Sequence, residues 1–280
     1  MFDEVASRLL SQIARELSGS DVVFPTSFEL TLHVQALLKN PDTTIDKLAE
    51  MVQAEPLMST RVLAYANSVA VRGSGPEITE LNRAIMRIGL DAVRTISYTL
   101  SVEQLIRSKH MQPLQPIANA IWEHSLGVAA LARLLARRQR MNAEKAFFLG
   151  IVHDIGAFYL LFRCSQDPVL AADGTELVRL VFQWHDGIGH ALLSAMGQPE
   201  DVLTAVQDHE APTTVESMNT WTAILTCADC LGQQLSDWVP DDLRAAGQRT
   251  VSTKVIDAEE QAVIVAMARD DLAALHSALF

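Results

Sequence analysis

Six side chains in the second half of the chain have the types needed to hold a divalent ion: His124, His153, Asp154, His185, His209 and Asp229. Imidazole nitrogen suits zinc, iron, nickel and copper, and carboxylate oxygen suits harder divalent ions. Adjacent residues such as His153 and Asp154, read as lying on one helix, point about 100 degrees apart around its axis. An ion lodged between helices can meet both, and helical bundles hold metals in this way. Such an ion polarises a phosphoryl oxygen and lowers the pKa of a bound water. A lone histidine on a helix is more often a hydrogen-bonded core or boundary residue, and His33, His110, His190 and His276 are read so. His153 and Asp154 are harder to explain by packing, because a buried Asp needs a partner. Residue type and spacing leave an ion site and a packing role both open.

The elements that must position these groups are helical. Val5, Leu9, Ile13 and Leu17 form one stripe, and Gly19 ends that helix. Pro25 and Thr26 open a second helix, with Leu30, Val34, Leu37 and Leu38 along one face. Asn40-Pro41-Asp42 is a turn signal. A third helix carries Ile45, Leu48 and Val52, Glu55-Pro56 breaks it, and a fourth spans 57–66. Asn67, at its end, is read as a left-handed C-cap. Residues 73–76 (GSGP) form a loop, and Gly89 separates a short helix from one over 92–106. Two prolines, Pro113 and Pro116, mark a boundary. Beyond it, helices are predicted over 117–138, 143–162, 176–184, 188–196, 199–207, 218–235 and 256–279. Residues 251–255 carry a weak strand signal. The expected fold is all-α, with an N-terminal helical bundle over 1–112 and a larger helical core over 113–280.

Composition narrows the function classes. A hydrophobic share of 49% supports a sizeable core, and a net charge of −12 argues against a phosphate backbone as main partner. The helix pair over 45–67 superficially suggests a helix-turn-helix, but its second helix offers only Arg61 as a cation. Arg133, Arg137, Arg138 and Arg140 are read as a solvated helix end, where cations are favoured. The N-terminus has acids where a secretory leader needs positive charge. No uninterrupted apolar run is long enough to span a bilayer. The expected location is the cytoplasm. Cys227 and Cys230 form a lone CxxC, read as helix packing, with Cys164 the third cysteine.

The words around the His and Asp residues carry a resemblance. His124, His153-Asp154 and Asp229 resemble the H…HD…D pattern of HD-domain metal-dependent phosphohydrolases. Residues 148–156 (FLGIVHDIG) are similar to the "LLHDIG" helix of the HD and HD-GYP families. His185, followed by Ile188-Gly189 and Leu192-Leu193, resembles their second-metal histidine and "IG..LL" helix. Asp208-His209-Glu210 stands where HD-GYP proteins carry "HHE". In the N-terminal half, residues 45–50 (IDKLAE), 55–68 (EPLMSTRVLAYANS) and 81–89 (LNRAIMRIG) resemble the HDOD signature, over roughly 25–231 in all. HDOD domains resemble HD domains that have mostly lost their metal ligands and act as output modules in bacterial signalling. The resemblance implies a helical, HD-like core, signalling proteins as partners, and a non-catalytic role. The alternative it implies is a metal-dependent phosphohydrolase, holding one or two ions of iron, manganese, zinc, nickel or magnesium on the six residues, with Asp154 as catalytic residue. Two departures bear on this: Ala157 stands where "HDIGK" has its lysine, and no Gly-Tyr-Pro follows His209. The last helix is left to cover the core or to form a homo-oligomer seam.

Overall fold

The apolar stripes close into helices whose starts are set by capping side chains. Thr44 accepts from the Lys47 amide, Asn142 from Glu144 and Lys145, Asp173 from Thr175 and Glu176, and Thr220 from Ala223. The computed structural model describes residues 1–19, 25–211, 213–240, 242–243 and 249–279, with the side chains of 69, 70 and 273–279 outside that description. In chain order the elements are α1 (Phe2–Ser18), a 3₁₀ turn (Thr26–Phe28), α2 (Glu29–Lys39), α3 (Ile45–Ala54), α4 (Pro56–Asn67) and α5 (Val69–Arg72). They continue with α6 (Leu81–Ile106), a second 3₁₀ turn (Lys109–Leu114), α7 (Gln115–Arg138), α8 (Ala143–Val152), α9 (Ile155–Cys164) and α10 (Pro168–Ala172). Last come α11 (Gly174–Ala195), α12 (Glu200–Asp208), β1 (Thr213–Val215), α13 (Trp221–Gly232), β2 (Arg249–Val251) and α14 (Ala258–Leu279). The fold is all-α, with one parallel pair of three-residue strands among the described residues.

The second half is organised around α7, on which α8, α13 and α14 pack, while α9 packs on α11. Two glycines set how closely these helices approach. A Cβ on Gly150 would stand 2.3 Å from the Ala129 Cα of α7. One on Gly156 would stand 2.0 Å from the His185 carbonyl oxygen of α11. The apolar core runs without interruption from Val5 to Ala268, and α1 packs back on α10 and α11. Ala143–Cys164 is long and apolar enough to cross a membrane, but 89% of its 18-residue apolar stretch is buried inside the protein.

Several elements differ from the sequence reading. The helix expected over 143–162 is two, because the chain turns at His153-Asp154, where Asp154 leaves helical geometry at φ −94, ψ 17. Conversely, the helices expected over 176–184 and 188–196 are one, α11, running through Asp186 and Gly187. The strand signal at 251–255 lies too late: the strand is Arg249–Val251, paired with a strand at Thr213–Val215 that no pattern announced. Gly89 does divide two helical stretches as expected, leaving helical geometry at φ +81 and kinking α6 there. Asn67 is not a left-handed cap. Its Nδ2 donates to the Ile78 carbonyl at 2.7 Å and its Oδ1 accepts from the Ile78 amide at 2.8 Å, pinning the incoming loop. Arg133 is not on a solvated end. It is buried, lies 4.7 Å over the Phe147 ring, donates to the Tyr65 hydroxyl at 3.3 Å and pairs with Asp271 at 3.5 Å.

Candidate metal centre

The helix crossings bring all six sequence-selected residues to one place. α7 supplies His124, the α8–α9 turn His153 and Asp154, α11 His185, the residue after α12 His209, and α13 Asp229. All six are buried. Neighbouring rings are close: His124 and His153 have centroids 5.4 Å apart, His153 and His209 5.1 Å, and His185 and His209 5.4 Å. Donor atoms of His124, His153 and Asp229 lie within 4.8 Å of one another. The same holds for His153, Asp154 and His209, and for His185, His209 and Glu210.

The backbone fixes each ring. His153 Nδ1 donates to the Gly150 carbonyl at 2.8 Å, His185 Nδ1 to Phe182 at 2.7 Å, and His209 Nδ1 to Val206 at 2.6 Å. Each acceptor is three residues upstream on the same helix. A carbonyl only accepts, so the proton of each neutral ring sits on Nδ1 and the Nε2 lone pair faces inward. Those three Nε2 atoms are buried without a hydrogen-bond partner. The Nε2 atoms of His153 and His185 lie 3.3 and 3.4 Å from the two Asp154 oxygens without forming a bond. Metal-binding histidines show this pattern, one nitrogen held by a carbonyl and the other turned to the ion. By this test the donor set fits a divalent ion.

His124 differs. Its Nδ1 donates to the Ser236 carbonyl at 2.9 Å, and its Nε2 meets Asp229 Oδ1 at 2.8 Å. Burial opposes its charge, but the bond to Asp229 and that group's charge outweigh burial and push it up to about 9. An ion taken up here has to displace the Nε2 proton. Burial lowers His153, and lowers His209 to about 3 with help from His153 and His185, so both rings offer lone pairs at neutral pH. Burial also opposes ionisation of Asp154 and Asp229. The charge of the His124 imidazolium helps to hold Asp154 below the usual carboxylate range, and Arg249 and His124 hold Asp229 well below it.

Three neighbours escaped the sequence reading. Trp238 Nε1 donates to Asp154 Oδ2 at 3.1 Å, and its ring stands 5.7 Å from His185. Arg249 donates to Asp229 and to the His209 carbonyl, and pairs with Glu210 at 3.0 Å. Glu210, read only as part of Asp208-His209-Glu210, is pushed up to about 7 by burial and by Asp229. No periodic or motif signal marks Trp238 or Arg249. His33 and His110 are exposed and His190 is half-buried, all three outside the cluster, and the His276 side chain lies outside the described residues. Cys164, Cys227 and Cys230 join no candidate ion group among the described residues. Burial pushes each of them up to about 12.

This architecture has relatives among solved structures. A Shewanella amazonensis SB2B protein provisionally named a metal-dependent phosphohydrolase shares 21% identity over 95% of this chain and 99% of its own, with a TM-score of 0.69. An HDOD domain protein of unknown function from Geobacter sulfurreducens shares 23% identity over 99% of each chain, with a TM-score of 0.60. At these identities the likeness is one of fold. No curated protein matches the chain. The HDOD domain model matches residues 24–212, spanning α2 to α12 and taking in His124, His153, Asp154, His185 and His209, so the chain belongs to the HDOD family.

Proposed function

We propose that the chain is an HDOD-type signalling module whose helices hold one or two divalent ions. The ligands in this reading are His124, His153, Asp154, His185, His209 and Asp229, and the ion serves the conformation of the module rather than turnover. The carrying observation is the trio of buried, partnerless Nε2 atoms on His153, His185 and His209. Each unsatisfied buried polar atom costs about 1–3 kcal/mol, a cost that an ion would cancel. Nitrogen with carboxylate donors suits iron, manganese, zinc or nickel better than magnesium. Closed metal sites serve structure, whereas catalytic ones keep an open position. All six ligands are buried, and the buried Ala157 replaces the lysine of the resembling motif. The partners in this reading are signalling proteins in a bacterial cytoplasm, and residues 1–112 and 113–280 are two halves of one module.

Elemental analysis of protein purified without chelator or affinity metal tests the centre. The expected result is about one or two equivalents of a transition metal, lost in His153→Asn. A folded, metal-free protein would overturn it.

The second reading is hydrolysis of a phosphoester, favoured by Glu210, an acid near neutrality beside the centre. A bound ion would supply polarisation of the phosphoryl oxygen and an acidified water. Here Asp154 would hold the ion jointly with His153 and His185, whose Nε2 atoms lie 3.3 and 3.4 Å from its two oxygens. Metal-dependent turnover of a phosphoester, abolished in Asp154→Asn, would establish this reading over the first.

A further inference from the structure

The second strand returns a cation to the centre. Arg249 opens β2 opposite Thr213, three residues past Glu210, so the pairing lays its side chain against the His209-Glu210 turn. Its side chain is only 6% exposed. Nη1 donates to Asp229 Oδ2 and, at 3.1 Å, to the His209 carbonyl, while Nη2 pairs with Glu210 Oε2 at 3.0 Å. The other Asp229 oxygen is held by His124 at 2.8 Å. Both oxygens of Asp229 are therefore committed to donors. Arg249 thus grips one carboxylate from each of two candidate ion groups, Asp229 from the first and Glu210 from the third. A guanidinium makes strong, directional bonds to carboxylates and never sheds its charge. An ion and this guanidinium compete for the same carboxylate.

We propose that Arg249 is a built-in counter-cation. It holds Asp229 and Glu210 while the centre is free of metal, and it leaves Asp229 when a divalent ion is taken up, so it sets the affinity for that ion. The inference rests on the metal-centre reading above. Arg249, like Asp229, lies outside the stretch matched to the HDOD family. A purely structural role makes the opposite demand. If Arg249 only braced Asp229 for the ion, removing it would weaken uptake.

The test is calorimetric titration with Mn²⁺ of the full-length chain after chelator dialysis, as wild type, Arg249→Met and Arg249→Lys. Arg249→Met is expected to bind Mn²⁺ at least about tenfold more tightly, or ~1.4 kcal/mol. Its metal-free form is expected to melt lower, because two buried carboxylates lose their partner. Arg249→Lys keeps the charge without the two-pronged grip and is expected to bind with intermediate affinity. It carries the test if the methionine variant does not fold. Equal or weaker binding by both variants beside a wild type that binds would overturn the role of Arg249 and leave the metal centre standing. No binding by any of the three would overturn both.

Discussion

Gly156→Ala adds a single methyl group where two helices meet backbone to backbone, and the structure sets its cost. The new Cβ would stand 2.0 Å from the His185 carbonyl oxygen and 2.6 Å from the Gly189 amide nitrogen. Ordinary contact needs about 3.5 Å, so α9 and α11 have to separate by on the order of 1.5 Å. No flexible side chain is available to yield. Overpacking of a core costs about 1–3 kcal/mol, and a backbone clash belongs at the upper end, near 3 kcal/mol. The same shift carries His185 away from His153 and Asp154. Metal ligands have to sit within about 0.2 Å of their distances, so ion uptake should fall more steeply than stability. Urea unfolding followed by circular dichroism gives the first quantity, and Mn²⁺ titration gives the second. Gly187→Ala, two residues from both His185 and Gly189 on the exposed side of α11, is the control. Nothing lies within 4 Å of its Cβ, and alanine should stabilise the helix interior by about 0.5–1 kcal/mol. A Gly156→Ala protein as stable as wild type, with unchanged Mn²⁺ binding, would refute the claim that this contact sets the spacing of the centre.

Two further outcomes follow from bonds outside the centre. Glu16 of α1 accepts two bonds from Arg163 of α9, which hold its carboxyl below the usual range. Its contribution is therefore present above the unfolded pKa, about 4.3, and lost as pH falls through the folded value. Glu16→Gln should cost about 1–2 kcal/mol at pH 7 and progressively less below pH 4, so a pH-independent difference in unfolding free energy would contradict the pairing. Asn67→Ala removes both bonds to the Ile78 backbone and should cost about 1–3 kcal/mol. Hydrogen exchange at the Ile78 amide should quicken, and unchanged protection there would show that the loop is held by something else.

What the sequence disclosed depended on whether a feature had a period or a residue identity. α1 and α3 were readable from their stripes because each buries one face. The break at His153-Asp154 was not. α8 and α9 are buried on nearly every side, so no polar phase existed to shift at the turn. Asp186-Gly187 misled in the opposite sense, since an exposed glycine inside a helix costs about 1 kcal/mol and is tolerated. Strands of three residues are too short to alternate visibly. At the centre, the six His and Asp residues stood out by type. What orients them did not, because the carbonyls of Gly150, Phe182, Val206 and Ser236 carry no side-chain signature. Arg249 is one arginine among several until the strand pairing shows where it returns.

That backbone anchoring decides how a ligand variant has to be built. His153 stands at the C-terminal end of α8 and His209 at that of α12, where helix carbonyls lack intrahelical donors. Each ring supplies one through Nδ1, to Gly150 and to Val206. His153→Ala therefore orphans a buried carbonyl as well as removing Nε2, and its instability would say nothing about an ion. His153→Asn is the sharper substitution, because the asparagine Nδ2 takes the place of the imidazole Nδ1 as donor while nothing replaces Nε2. If the centre holds an ion, the asparagine variant should lose its metal and the stability that metal confers. With chelator present, it should melt close to chelated wild type. If the two proteins differ equally with and without chelator, the inward-facing nitrogen contributes to packing alone.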